Sequence, residues 1–200
     1  MNTEISAELF KELRRITDRP LQVMADSDNA ELIAFLLSGG FTCRRKCYEV
    51  EVGMEDYIGG QASAQLEPCR IGEAAYEQAC WMLFGHYAET HKAVNPWTAD
   101  YETFCGELPE EVICSKRGGK IVSLAFVEEN EIAYVCGTDE ECFAGFARSL
   151  VCAMLDKYET ICFEGDDCDR AAMLLRSLFI NQEETSYDTY VYDNKGTISC

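Results

Sequence analysis

Twelve cysteines stand at positions 43, 47, 69, 80, 105, 114, 136, 142, 152, 162, 168 and 200, beside only two histidines, His86 and His91. A thiol can ligate a metal, close a bridge, attack a substrate or fill a core, and spacing separates these uses. No Cys-x-x-Cys occurs, and neither histidine sits at finger spacing from a cysteine pair, so no metal site is expected. In the closest pair, Cys43-x-x-x-Cys47, a strand would hold the two side chains about 13 Å apart on one face, beyond bridging reach. Most of the others lie in apolar stretches, such as Cys136 in IAYVCG and Cys162 in TICFEG, where a thiol packs as a small hydrophobe. Most of the cysteines are therefore assigned to the core as free thiols, and the expected compartment is reducing and cytoplasmic.

The elements that must position any chemistry follow from apolar periodicity. Ile5, Leu9, Phe10, Leu13 and Ile16 predict a helix over 5–17 that Pro20 ends. LQVMA then predicts a short buried strand, and Asp26 to Asn29 cap the helix ELIAFLLS, which Gly39 and Gly40 stop. RRKCYEVEV alternates as a half-exposed strand, and the turn-rich stretch from Gly59 to Ser63 reads as a linker. A strand over 62–69 comes next, then a helix or helix pair over 72–93 broken by Pro96, and a short helix within 97–110. Three strands follow, with turns at Arg117-Gly118-Gly119 and Glu128-Glu129-Asn130. Helix FAGFARSLVCAMLDKY, strand TICFEG, helix DRAAMLLRSLFI and strand YDTYVYD complete the order. The fold class is mixed α/β, a meander feeding a strand–helix–strand crossover.

Charge and composition limit what this scaffold can serve. Across 200 residues, 36 acidic and 17 basic side chains leave a net charge of −19. Such a surface repels nucleic acid and anionic lipid, so neither is an expected partner. No apolar run reaches the ~20 residues of a membrane span, and MNTEISAELFKELRRI reads as an amphipathic helix rather than a signal peptide.

The first and last fifty residues follow one order: helix, strand, acidic turn, helix, alternating strand. An offset of 139 pairs Met24 with Phe163, Asn29 with Cys168, Leu36 with Leu175, Phe41 with Ile180 and Tyr48 with Tyr187 without a gap. The expectation is a duplicated half-domain.

The junction EIAYVCGTDEECFAGFARSLV over 131–151 resembles the GCN5-related N-acetyltransferases. In that family a loop bearing Arg/Gln-x-x-Gly-x-Gly/Ala joins a central strand to a helix, and its amides hold the coenzyme A pyrophosphate. Gly145-Phe146-Ala147 fits the end of that motif. Cys142 replaces the Arg/Gln, and Asp139, Glu140 and Glu141 precede it, which makes the loop divergent. The organisation the resemblance implies is a truncated helix–strand–helix–strand half over 1–55, a linker and first strand over 56–70, and a complete domain over 62–200.

The implied activity is transfer of an acetyl or other short acyl group from acetyl-CoA to an amine. The acceptor expected is a small molecule or peptide, cationic in view of the acidic surface, and a homodimer is a further expectation. The coenzyme would lie along Tyr134, Val135 and Cys136 on the central strand and along Cys142, Phe143, Ala144, Gly145, Phe146 and Ala147 in the loop. Glu131 and Tyr134 are the candidate catalytic residues. The tyrosine that often protonates the leaving thiolate is replaced by Leu175, and by Leu36 in the partial copy. That substitution supports an alternative, a non-catalytic module for protein interaction or acyl-CoA sensing. His86 and His91 read as surface histidines on the long helix.

Overall fold

The computed structural model describes residues 3–17, 19–92, 94 and 100–192; the expected break at Pro96 and the cysteine at 200 lie outside them. The chain forms two compact units, one of residues 1–48 with 184–200 and one of residues 49–183.

In the first unit, α1 (Thr3–Ile16), β1 (Leu21–Asp26), α2 (Ala30–Ser38) and the first half of β2 (Thr42–Gly53) come from the start of the chain. β8 (Tyr187–Tyr192) comes from its end. β8 lies between the other two strands and is antiparallel to both, with Val23 opposite Tyr190 on one side and Cys47 opposite Tyr187 on the other. This pairing explains why 184–200 join 1–48, whereas the sequence assigned them to the 62–200 domain. The core holds Phe10, Ala25, Leu36, Phe41 and Tyr190, with the Phe10 and Phe41 rings edge-on at 4.6 Å. α2 starts where Asn29 accepts a hydrogen bond from the Leu32 amide, the local cap its sequence predicts. Of the apolar stripe expected on α1, Phe10 is buried while Ile5, Leu9 and Ile16 are exposed.

The second unit holds the end of β2 and then β3 (Glu67–Arg70), α3 (Ala74–His91), α4 (Tyr101–Gly106), β4 (Glu111–Arg117) and β5 (Lys120–Glu128). β6 (Glu131–Gly137), α5 (Glu140–Leu155), β7 (Thr160–Asp166) and α6 (Arg170–Arg176) complete it. Its strand order is β2-β7-β6-β5-β4-β3. β3 to β6 form an antiparallel meander, and the α5 crossover returns β7 parallel to β6. Gly118 and Gly119 both take positive φ (58° and 78°) in the β4–β5 turn, which a two-residue hairpin of this twist requires. Leu124 and Phe126 of β5 pack with Cys114, Cys136, Ala79, Leu83 and Phe104 into a closed core.

Several element bounds differ from expectation for local reasons. The strand expected over 62–69 is shortened to Glu67–Arg70, because the amides of Ser63 and Ala64 instead donate to Ser149 Oγ. Residues 72–93 contain one helix, not a pair. α5 starts three residues before its predicted Phe143, since the Asp139 carboxylate accepts from the Cys142 amide and caps it. α6 ends at Arg176 rather than Ile180, where Leu178 and Phe179 turn tightly onto the carbonyls of Leu175 and Arg176.

The 139-residue offset also relates element bounds. It carries α1 to 142–155 beside α5 at Glu140–Leu155, β1 to 160–165 beside β7 at Thr160–Asp166, and α2 to 169–177 beside α6 at Arg170–Arg176. The caps fall one position apart, Asn29 for α2 but Asp169 for α6. Among the described residues, no helix is long and apolar enough to cross a membrane.

Candidate functional site

The two central strands of the second unit part company. β6 keeps its ladder with β5 as far as Gly137, yet pairs with β7 only at Glu131–Cys162 and Ile132–Phe163. Beyond those residues the strands diverge, and a cavity of about 180 Å³ opens between Tyr134 and Val135 of β6, Glu164 and Asp166 of β7, and the two histidines of α3. A second cavity of about 440 Å³ lies at the carboxyl end of β6, walled by Thr138, Asp139, Phe143, Arg170, Ala171 and Leu174. Parallel strands that separate at their carboxyl ends leave a crevice suited to a ligand.

Comparison with solved structures identifies this arrangement. The chain aligns over 99% of its length with 79% of a GCN5-related N-acetyltransferase from Kribbella flavida, at 14% identity and a TM-score of 0.55. A probable N-acyltransferase from Enterococcus faecalis aligns over 94% of this chain at 10% identity and a TM-score of 0.57, and there the chain spans 48% of the other's length. A GNAT-family acetyltransferase from Colwellia psychrerythraea aligns over 94% of this chain and 72% of its own, at 10% identity and a TM-score of 0.51. The chain has the GCN5-related N-acetyltransferase fold. No family model matches the sequence, and no match is found among curated proteins.

Within this acetyltransferase fold, the residues singled out from sequence divide between wall and core. Glu131 opens β6, is exposed, and lines the smaller cavity. Tyr134 lines the same cavity, and its hydroxyl pKa is raised by burial and then by Glu164, Glu131 and Glu107. It keeps its proton at neutral pH and can donate a hydrogen bond there. Val135 also lines this cavity, while Cys136 is buried, its thiol pKa pushed up by burial first and then by Asp169 and Cys114.

The segment expected to be a phosphate loop is helix. Residues 142–147 all lie within α5, with the Cys142 amide donating to the Asp139 side chain and the Phe143 amide to the Asp139 carbonyl. Ala144, Gly145, Phe146 and Ala147 follow in the next turn, where amides close onto carbonyls four residues back. Phe143, Phe146 and Ala147 are buried. Gly145 is oriented toward Ser63, so the Gly-x-Ala spacing serves packing against the 63–64 segment. The close approach that does need a glycine is at Gly137, where a Cβ would stand 2.7 Å from Phe143 Cβ. Of the three acidic residues, Asp139 caps α5, with its pKa lowered chiefly by the Cys142 amide, and Glu140 forms an ion pair with Arg170.

The histidines depart furthest from expectation. His91 is 3% exposed and His86 is largely buried, so neither is a surface residue. His86 Nε2 lies 2.8 Å from Asp169 Oδ2, while Asp169 Oδ1 accepts from the Ala171 and Ala172 amides at the start of α6. His91 Nε2 lies 3.1 Å from Asp166 Oδ2. Both pairs tie α3 to the β7–α6 end of the crevice, and His86 lines both cavities. Leu175, at the place of the missing tyrosine, is 1% exposed and fills the crevice floor.

A third cavity of about 700 Å³ lies on the β2 side of β7. Glu49, Glu51, Glu55, Asp56, Glu131, Glu164 and Glu183 line it, and among the described residues no lysine or arginine does. Glu131 and Glu164 line both this acidic basin and the crevice cavity.

Cys69, Cys80, Cys114 and Cys136 are buried in this unit as expected, whereas Cys162 is half-buried. Burial, then Cys105, pushes the Cys80 thiol from near 9 to about 12, and burial, then Cys69, does the same for Cys114. Folded-state values above the unfolded ones leave the stability these thiols provide intact below about pH 9 and drain it as pH rises toward 12. Each thiol should contribute a slope of about 1.4 kcal/mol per pH unit in that window. Urea unfolding at several alkaline pH values should show this decline, and Cys114→Ala should flatten it; a flat profile between pH 9 and 11 would contradict the assignment.

Proposed function

We propose that the protein transfers an acetyl or other short acyl group from acyl-CoA to an amine of a cationic acceptor. The observation carrying this reading is the parting of β6 and β7, with Glu131 shared between the crevice and a basin that has seven acidic side chains and, among the described residues, no cation. A polyamine is the acceptor class such a basin favours by charge. In this reading the coenzyme enters through the cavity at the starts of α5 and α6, where Arg170 can meet its phosphates, and the thioester passes His86 to reach Tyr134. Cys142 to Ala147 contribute through the α5 N-terminus and its packing.

The chemistry then needs three proton movements, two off the nitrogen and one onto the sulfur. Glu131 takes a proton from the acceptor ammonium, and the free amine attacks the thioester carbonyl carbon. As the tetrahedral intermediate collapses, the carbon–sulfur bond breaks, the nitrogen loses its second proton to solvent, and the thiolate takes a proton from Tyr134, which solvent then reprotonates. Positioning of the amine against the thioester supplies much of the remaining rate. The same proposal extends to residues 1–55, read as a truncated copy of the helix–strand–helix–strand end of the fold.

The Asp139 carboxylate at the α5 N-terminus and Leu175 at the tyrosine position favour a second reading, a non-catalytic module on the same fold. Thiol release from acetyl-CoA in the presence of spermidine separates the two. Turnover is expected, and Glu131→Gln should reduce kcat by ~100-fold or more, in the range general-base removal costs. No release across a panel of polyamines and basic peptides would leave the non-catalytic reading.

A further inference from the structure

Independent of acyl transfer, three side chains of metal-ligating type converge at the inner end of the crevice. A ring nitrogen of His91, an Asp166 carboxylate oxygen and Cys168 Sγ lie within 4.8 Å of one another. His91 and Asp166 are buried and Cys168 is half-buried. Zinc bonds of ~2.0–2.3 Å place tetrahedral ligand atoms about 3.3–3.8 Å apart. Each of the three separations therefore needs to shorten by about 1.5 Å at most, since none exceeds 4.8 Å.

The orientation of the imidazole is a second, separate observation. His91 Nδ1 lies 3.2 Å from the Tyr87 carbonyl and 2.9 Å from Thr90 Oγ1. The Thr90 hydroxyl has one hydrogen to give, to the carbonyl of His86 or Tyr87 or to Nδ1 itself. The tautomer that places Nδ1–H on the Tyr87 carbonyl leaves Nε2, 3.1 Å from Asp166 Oδ2, able to ligate a cation. The arrangement of Nδ1–H on a backbone carbonyl with Nε2 facing inward is the one metal-ligating histidines adopt. The Tyr87 ring, stacked on the imidazole at 3.9 Å, holds it there.

We infer that His91, Asp166 and Cys168 form a zinc site, with a fourth position open toward the crevice. Nitrogen, thiolate and carboxylate together suit Zn²⁺ rather than the hard cations. Nearby Glu131, Glu164 and Asp169 line the same cavity and add negative charge.

The test uses the full chain, stripped with chelator and kept reduced. Calorimetric titration with Zn²⁺ should give one tight site per chain, and Co²⁺ should give a thiolate-to-metal charge-transfer band. Cys168→Ser should abolish that band, and His91→Gln should weaken Zn²⁺ binding by more than the ~10–100-fold that changing an outer-shell partner costs. Cys142→Ser, outside the site, should change neither. Absence of stoichiometric Zn²⁺ binding to the folded wild-type chain would overturn the inference, as would a Co²⁺ band that survives Cys168→Ser. Because His91→Gln can weaken the fold, Cys168→Ser, at a half-buried position, is the deciding variant.

Discussion

Leu174→Trp should raise the acetyl-CoA Kd by about 100-fold, equivalent to ~2.7 kcal/mol, without unfolding the chain. Leu174 is a half-buried residue of α6 on the wall of the 440 Å³ cavity, facing the start of α5. The indole would occupy the space between Phe143 and Ala171 through which the coenzyme is proposed to pass. Because the side chain projects toward a cavity, the enlargement should be accommodated without the overpacking cost of a closed core. Calorimetry provides the Kd and a thermal melt provides the control. An unchanged Kd with an unchanged melting temperature would remove this cavity from the coenzyme path. Loss of binding with intact melting would assign it there, ahead of any identification of the acceptor.

His91→Ala should have the largest effect on stability of any single change at the site. In metal-free protein it leaves the buried Asp166 carboxylate without its 3.1 Å partner, a loss that costs ~3–5 kcal/mol when one member of a buried pair is removed. It also removes the ring stacked on Tyr87. For a chain of this size each kcal/mol shifts Tm by ~2–4 °C, so the melting temperature should fall by ~6–20 °C in the presence of chelator. The double variant His91→Leu with Asp166→Leu should recover much of that loss, since well-packed apolar residues often replace a buried pair at little cost. A fall below ~1 kcal/mol in the single variant would show that the pair is not sustained inside the protein. Failure of the double variant to recover would place the cost in packing instead.

The residues that proved legible in sequence are those whose local chemistry decides their structure. Asn29 caps α2, paired glycines turn β4 into β5, and near-continuous apolar runs build β5 and β6. Glu131 and Tyr134 reached the crevice because their strand places them there. What failed was set by contacts remote in sequence. His86 and His91 read as surface residues because their partners, Asp169 and Asp166, come 83 and 75 positions later. Gly145 read as a phosphate contact because its spacing fits, yet α5 begins early under the Asp139 cap and turns that glycine toward Ser63. The acidic basin was equally invisible, since residues near 50 and residues near 160 meet there only through the order of strands.

The position of β8 has a consequence for synthesis. The strand that completes the first unit, between β1 and β2, leaves the ribosome after every other described element. Until about residue 192 emerges, β1 and β2 each present an open edge with no strand between them, the exposure that invites pairing with another chain. That unit therefore closes only once β8 has been made, and its pairing of residues 21–26 with residues 187–192 spans a long sequence separation, which makes it slow to form. A chain ending at Glu183 keeps every residue of the second unit and loses the centre of the first.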